Sequence, residues 1–135
     1  MENTALTVDR EFEKLKQTVL SYAPGIDAEK LERAYALAKD AHEGQVRNSG
    51  EPYLYHPVFV AQILAEYELD CDTIVGALLH DVVEDTKYTL DDIRAGFGNV
   101  VAEACAYIVK RVFRVLHNIV QKRADNGIAV QLVFR

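Results

Sequence analysis

Cysteine and long apolar runs are scarce in this chain of 135 residues, and its 15 Lys/Arg are outnumbered by 21 Asp/Glu. Its two cysteines, Cys71 and Cys105, lack metal-ligand spacing. They read as reduced thiols of a cytoplasmic protein, which excludes a disulfide framework. No apolar run approaches the length of a membrane span, and the longest, around Ile74 to Leu79, is interrupted by Gly76. The first five residues have neither a basic segment nor an apolar stretch, so no secretory signal is expected. Strand-type alternation is absent before residue 128, and no internal repeat is evident. Residues 1–110 hold ten Lys/Arg against twenty Asp/Glu, a net charge of −10. That body lacks the basic face needed for nonspecific nucleic-acid binding. Residues 111–135 reverse the balance, with five Lys/Arg against one Asp, and form a compositional break.

Helical periodicity fills most of what remains. Residues 8–22 put Phe12, Leu15, Val19 and Tyr22 on one stripe, and Pro24-Gly25 ends that helix. Asp27 reads as the N-cap of a second helix carrying Leu31, Ala34, Tyr35, Ala38 and Ala41, stopped by Gly44. His42 on that helix reads as structural. Residues 45–56 are a loop by composition, and Pro57 fits the first turn of a third helix with Val58, Ala61, Ile63, Leu64 and Tyr67. A central helix follows over residues 72–85. Thr89 to Asp92 resembles a variant capping box opening a short helix to Ala95. A last helix starts near Val100 with Val101, Cys105, Ile108 and Val112 apolar, and extends toward Arg123 before Asn126-Gly127. Residues 128–134 are strand-like in composition with no obvious partner. The expected fold is all-α, with about six helices.

The central helix carries the chemistry. Its first half is apolar, while its second half places His80, Asp81, Glu84 and Asp85 on the same rod. At 3.6 residues per turn, His80 and Glu84 share one face and Asp81 and Asp85 the adjacent strip. Ionisable groups at the end of a buried helix carry a desolvation cost unless something compensates it. A divalent cation does so, since imidazole and carboxylate together suit manganese, iron or zinc. His56, between a loop and a proline-started helix, is in position to join that site. Glu84 and Asp85, one turn on, are placed to hold or deprotonate an attacking water. Arg47 offers a guanidinium suited to phosphate or to stacking on a base. Tyr53 and Tyr55 are as suited to packing as to binding.

The joint pattern is more specific than its parts. His42-x-x-Gln45-x-Arg47-x-Ser49-Gly50-Glu51-Pro52-Tyr53-x-x-His56-Pro57, followed by His80-Asp81-x-x-Glu84-Asp85-Thr86, resembles the hydrolase domain of the RelA/SpoT enzymes, members of the HD superfamily of metal-dependent phosphohydrolases. The resemblance covers residues 28–110. It implies an HD-domain-like helical bundle that removes the 3′-diphosphate from guanosine tetra- and pentaphosphate, releasing pyrophosphate, with manganese (Mn2+) as the usual metal. It implies His56, His80 and Asp81 as metal ligands and Glu84 and Asp85 as the catalytic acidic pair. It implies Arg47, Asn48 and Ser49 as nucleotide contacts, with Asn48 standing where a basic residue is common.

The pattern stops near Ile108. Family members supply a fourth ligand, an Asp in an Asp-Arg-Leu-His-Asn-like motif several tens of residues further on. Leu116-His117-Asn118 is similar to that motif but arrives early, and puts Arg114 in the place of the Asp. An Arg cannot ligate a cation. Neither Asp125 nor His117 has a spacing that supports substitution. The expected organisation is therefore an HD-type hydrolase domain over 1–110, truncated at its C-terminus, and a divergent basic tail over 111–135. Two readings follow. One is a guanosine tetraphosphate hydrolase with three protein ligands, or an HD hydrolase of another nucleotide. The other is an inactive remnant that binds nucleotide or protein. Expected partners are a small guanine nucleotide and, through apolar surface exposed by the missing helices, a second copy of the chain; nucleic acid, membrane and synthetase activity are not expected.

Overall fold

The computed structural model describes residues 4–46, 50, 52–107, 118, 119, 122 and 126. Six helices are defined in order: α1 (Thr4–Tyr22), α2 (Ala28–Ala41), α3 (Tyr55–Glu66), α4 (Cys71–Asp85), α5 (Leu90–Phe97) and α6 (Asn99–Tyr107). Among the described residues there is no strand, only an isolated antiparallel bridge between Val46 and Pro52. The fold is the all-α bundle expected. The expected helical extension past Tyr107 and the strand-like residues 128–134 lie outside the described residues, apart from the few positions named above.

Local chemistry sets the helix limits. Asp27 caps α2 by accepting from the Lys30 amide, and Gly44, at φ +79°, lets the chain turn away after α2. Thr89 and Asp92 form a reciprocal capping box at the start of α5, where each side chain satisfies an amide the helix leaves open. The helix then runs to Phe97, two residues beyond the expected Ala95. Two starts come earlier than expected: α1 opens at Thr4 rather than near Val8, and α3 opens at Tyr55, ahead of Pro57. Pro57 still falls in the first turn, where its missing N–H leaves no hydrogen bond unmade.

Helix α4 is the centre, packed against α2, α3 and α6, while α1 leans on α2 and α3. Ile74, Val75, Ala77, Leu78 and Leu79 are fully buried, because partners surround this part of the helix. Gly76 permits the closest approach: a Cβ there would stand 2.9 Å from Ala104 Cβ on α6. The core also takes Val8, Phe12, Leu15 and Val19 from α1, with Phe12 stacked on Tyr35 at 4.1 Å between ring centroids. Tyr22 closes the stripe half-buried, its hydroxyl donating to the Leu69 carbonyl at 2.6 Å. Tyr67 does not continue the α3 stripe; it follows the last helical residue and is exposed. Ile119, one of the few described residues after α6, packs against this core.

Polar groups on the outer faces satisfy one another. Asp9 accepts from the Tyr35 hydroxyl and from Lys39 Nζ at 3.1 Å. Burial pushes the Tyr35 phenol well above its ordinary range, and the hydrogen bond to Asp9 adds to the rise. Gln62 Nε2 donates to Glu11 at 3.0 Å, joining α3 to α1. This bond lowers the Glu11 carboxyl below its ordinary value, outweighing partial burial, with help from Lys14.

Candidate metal centre

His56, His80 and Asp81 are three of the four buried polar or charged residues among those described; the fourth is His42. Their place follows from the packing of α3 on α4. His56 stands in the first turn of α3, after a turn closed by two backbone bonds, Tyr55 N–H to the Pro52 carbonyl and His56 N–H to the Tyr53 carbonyl. His80 and Asp81 follow directly on the apolar half of α4, before that helix leaves the core.

The three side chains converge. One Asp81 oxygen, Oδ1, lies 3.3 Å from His80 Nε2, and the other, Oδ2, lies 3.3 Å from His56 Nε2. The two imidazoles lie with centroids 5.7 Å apart and their planes tilted by 54°. One ligand atom from each residue falls within 4.8 Å of the others. His80 Nδ1 is 2.5 Å from the Ala77 carbonyl of its own helix. That contact requires the proton on Nδ1 and leaves Nε2 facing Asp81, as in ligating histidines. Asp81 Oδ2 is buried yet accepts no hydrogen bond among the described residues. A buried carboxylate oxygen in that condition is costly unless a cation compensates it. Two nitrogens and one oxygen, all buried and mutually close, suit a borderline divalent metal.

Glu84 and Asp85 are exposed on the last turn of α4. Asp85 Oδ2 accepts from the Tyr53 hydroxyl at 2.7 Å. Arg47, Asn48 and Ser49 lie outside the described residues. The segment that holds them is closed at its base by the Tyr53 N–H bonding the Gln45 carbonyl at 3.0 Å.

Two residues outside the expected ligand set, His42 and Tyr53, pack together here. His42 is the C-cap of α2 and is buried, with Nδ1 3.0 Å from Gln45 Oε1. It stacks on Tyr53 at 4.8 Å between centroids, and Tyr53 presents an edge to His56 at 6.2 Å. The available signal was that His42, Gln45, Tyr53 and His56 all fall in one motif. A cavity of about 470 Å³ has His42, Gln45 and Tyr53 in its wall, together with Lys39 and Asp40. It lies beside the cluster, since His56, His80 and Asp81 do not line it.

Comparison with known proteins identifies the family. The sequence pattern of the family described as HD domain matches residues 34–126, more than half of the chain. The chain belongs to the HD domain family.

Among curated relatives, this HD domain is 54% identical over 92 residues to the bifunctional (p)ppGpp synthase/hydrolase SpoT of Escherichia coli, covering 68% of this chain and 13% of the relative. It is 43% identical over 105 residues to the guanosine-3′,5′-bis(diphosphate) 3′-pyrophosphohydrolase of Aquifex aeolicus, covering 78% of this chain and 14% of the relative. It is 48% identical over 93 residues to a GTP pyrophosphokinase of Streptomyces coelicolor, covering 67% of this chain and 11% of the relative. The HD domain thus spans only about a seventh or less of the relatives' length.

Proposed function

We propose that this HD domain is a manganese-dependent guanosine-3′,5′-bis(diphosphate) 3′-pyrophosphohydrolase. The observation that carries the reading is the buried His56, His80 and Asp81 cluster, with donor atoms within 4.8 Å of one another, in a chain similar to hydrolases of that name. The three residues are the metal ligands. A divalent cation bound there supplies Lewis acidity toward a phosphoryl oxygen and toward water. Glu84 and Asp85 orient the attacking water and take a proton from it. The water oxygen bonds to the phosphorus carried by the ribose 3′ oxygen, and that P–O bond breaks. The 3′ oxygen takes up one proton, and pyrophosphate leaves with the new oxygen. Arg47, Asn48 and Ser49 contact the guanine nucleotide.

An acidic chain of net charge −6 handles a polyanion through a local cation and Arg47 rather than through a basic face. The substrate is a small nucleotide, not a nucleic-acid strand, and the free thiols Cys71 and Cys105 go with a reducing, cytoplasmic setting. No helix among the described residues is long and apolar enough to cross a membrane. A second reading, nucleotide binding without turnover, is favoured by one observation: the metal cluster among the described residues offers three ligands. Three protein ligands suffice for a catalytic metal whose other positions stay open, which supports the hydrolase.

The test is pyrophosphate release from guanosine tetraphosphate, with and without manganese, by the chain and by His80→Ala/Asp81→Ala. Release that needs manganese and is lost in the double variant is the expected result. A folded chain that binds the nucleotide without cleaving it establishes the second reading instead.

A further inference from the structure

The acidic pair at the end of α4 is exposed, and an exposed carboxylate is free to sample several rotamers. Asp85 is held in one. Tyr53, 32 residues earlier in the chain, donates its hydroxyl to Asp85 Oδ2 at 2.7 Å. The phenol ring is itself fixed. One face stacks on His42 with 27° between planes, an edge contact reaches His56, and the Tyr53 amide is tied to the Gln45 carbonyl. His42 is buried and bonded to the Gln45 side chain, so the surface under the phenol is itself anchored. A continuous set of contacts therefore runs from the end of α2, through Tyr53, to a carboxylate one helical turn beyond Asp81.

A tyrosine kept only for packing has no need to aim its hydroxyl at a carboxylate on another helix. A proton acceptor, in contrast, must stand about 2.6–3.2 Å from the proton it takes. Misplacement by about 1 Å costs on the order of a hundredfold in rate.

We propose that Tyr53 is a positioning residue, and that its phenol, seated on His42, holds Asp85 in the orientation from which it accepts the proton of the attacking water. This rests on the hydrolase reading above. Tyr53→Phe removes the hydroxyl and keeps the ring on His42. The expected result is a fall in kcat of about tenfold, the loss of a charge-assisted hydrogen bond. KM and the thermal shift produced by manganese alone stay unchanged. In an Asp85→Asn background, Tyr53→Phe causes no further loss, because its route is already cut.

A second readout does not depend on turnover. In protein labelled with ¹³C at tyrosine Cζ, the resonance missing from Tyr53→Phe moves in Asp85→Asn and stays in place in Glu84→Gln. Wild-type kcat in Tyr53→Phe, a loss carried in KM, an equal loss in both backgrounds, or an unmoved resonance each overturns the role of Tyr53 and leaves the hydrolase reading intact. A chain without turnover in any form overturns the hydrolase reading and the positioning role with it.

Discussion

The two halves of α4 share a backbone and serve opposite ends. From Ile74 to Leu79 the helix buries apolar side chains against three neighbours, with Gly76 letting α6 come close. From His80 to Asp85 the same helix buries an imidazole and a carboxylate, then presents two carboxylates to solvent. The first half stabilises the fold through area removed from water, at roughly 25 cal/mol per Å². The second half carries a desolvation cost that packing does not offset. The difference teaches that the rigid apolar half holds the costly polar half in place. Stability and site chemistry are adjacent on one rod but separable by mutation.

Breaking the packing half gives the largest effect on stability. Leu78→Ala, at a fully buried position, is expected to cost about 2–5 kcal/mol in a denaturant melt. The His56, His80 and Asp81 cluster of the remaining folded fraction is expected to stay intact. Gly76→Val is next. Its side chain meets Ala104 Cβ and nearby α6 backbone inside contact distance, and such overpacking costs about 1–3 kcal/mol. A melt no less stable than wild type contradicts the close approach of α4 and α6. Altering the polar half gives the reverse signature. Asp81→Asn relieves a buried charge, so metal-free stability is expected to stay within about 1 kcal/mol of wild type while stabilisation by manganese disappears. A large loss of metal-free stability contradicts the division of labour between the halves.

The smallest effect sharpens the contrast with a polar pair that serves packing alone. Gln62 holds Glu11 below its ordinary value of 4.5. A carboxyl depressed in the folded state contributes stability that is complete above the unfolded value and is lost as pH falls through the folded one. Gln62→Leu is therefore expected to be less stable than wild type near neutral pH, and the gap narrows as pH drops below 4.5. Thermal melts across that range check it, and a gap that widens in acid contradicts the assignment.

Much of this was legible in the chain. The caps at Asp27 and Thr89 are local chemistry, and the stripes of α1, α2 and α4 are local periodicity, so both could be read without tertiary information. The convergence of His80 with Asp81 follows from their adjacency on one helix, but the arrival of His56 required the packing of α3 on α4. Tyr67 had helical spacing and yet faces solvent, because α3 ends just before it. The contacts of His42 and Tyr53 were hidden for a different reason. Their stacking depends on the chain closing back on itself between Gln45 and Tyr53, and the bond to Asp85 spans two elements. Spacing along one helix carries no record of either contact.

The most direct test of the central claim is a manganese titration of the metal-free chain followed by electron paramagnetic resonance, set beside His80→Ala/Asp81→Ala. The account predicts one ion bound per chain and loss of that binding in the double variant, with the helical fold retained. Equal binding by both proteins, or none by the folded wild type, contradicts it.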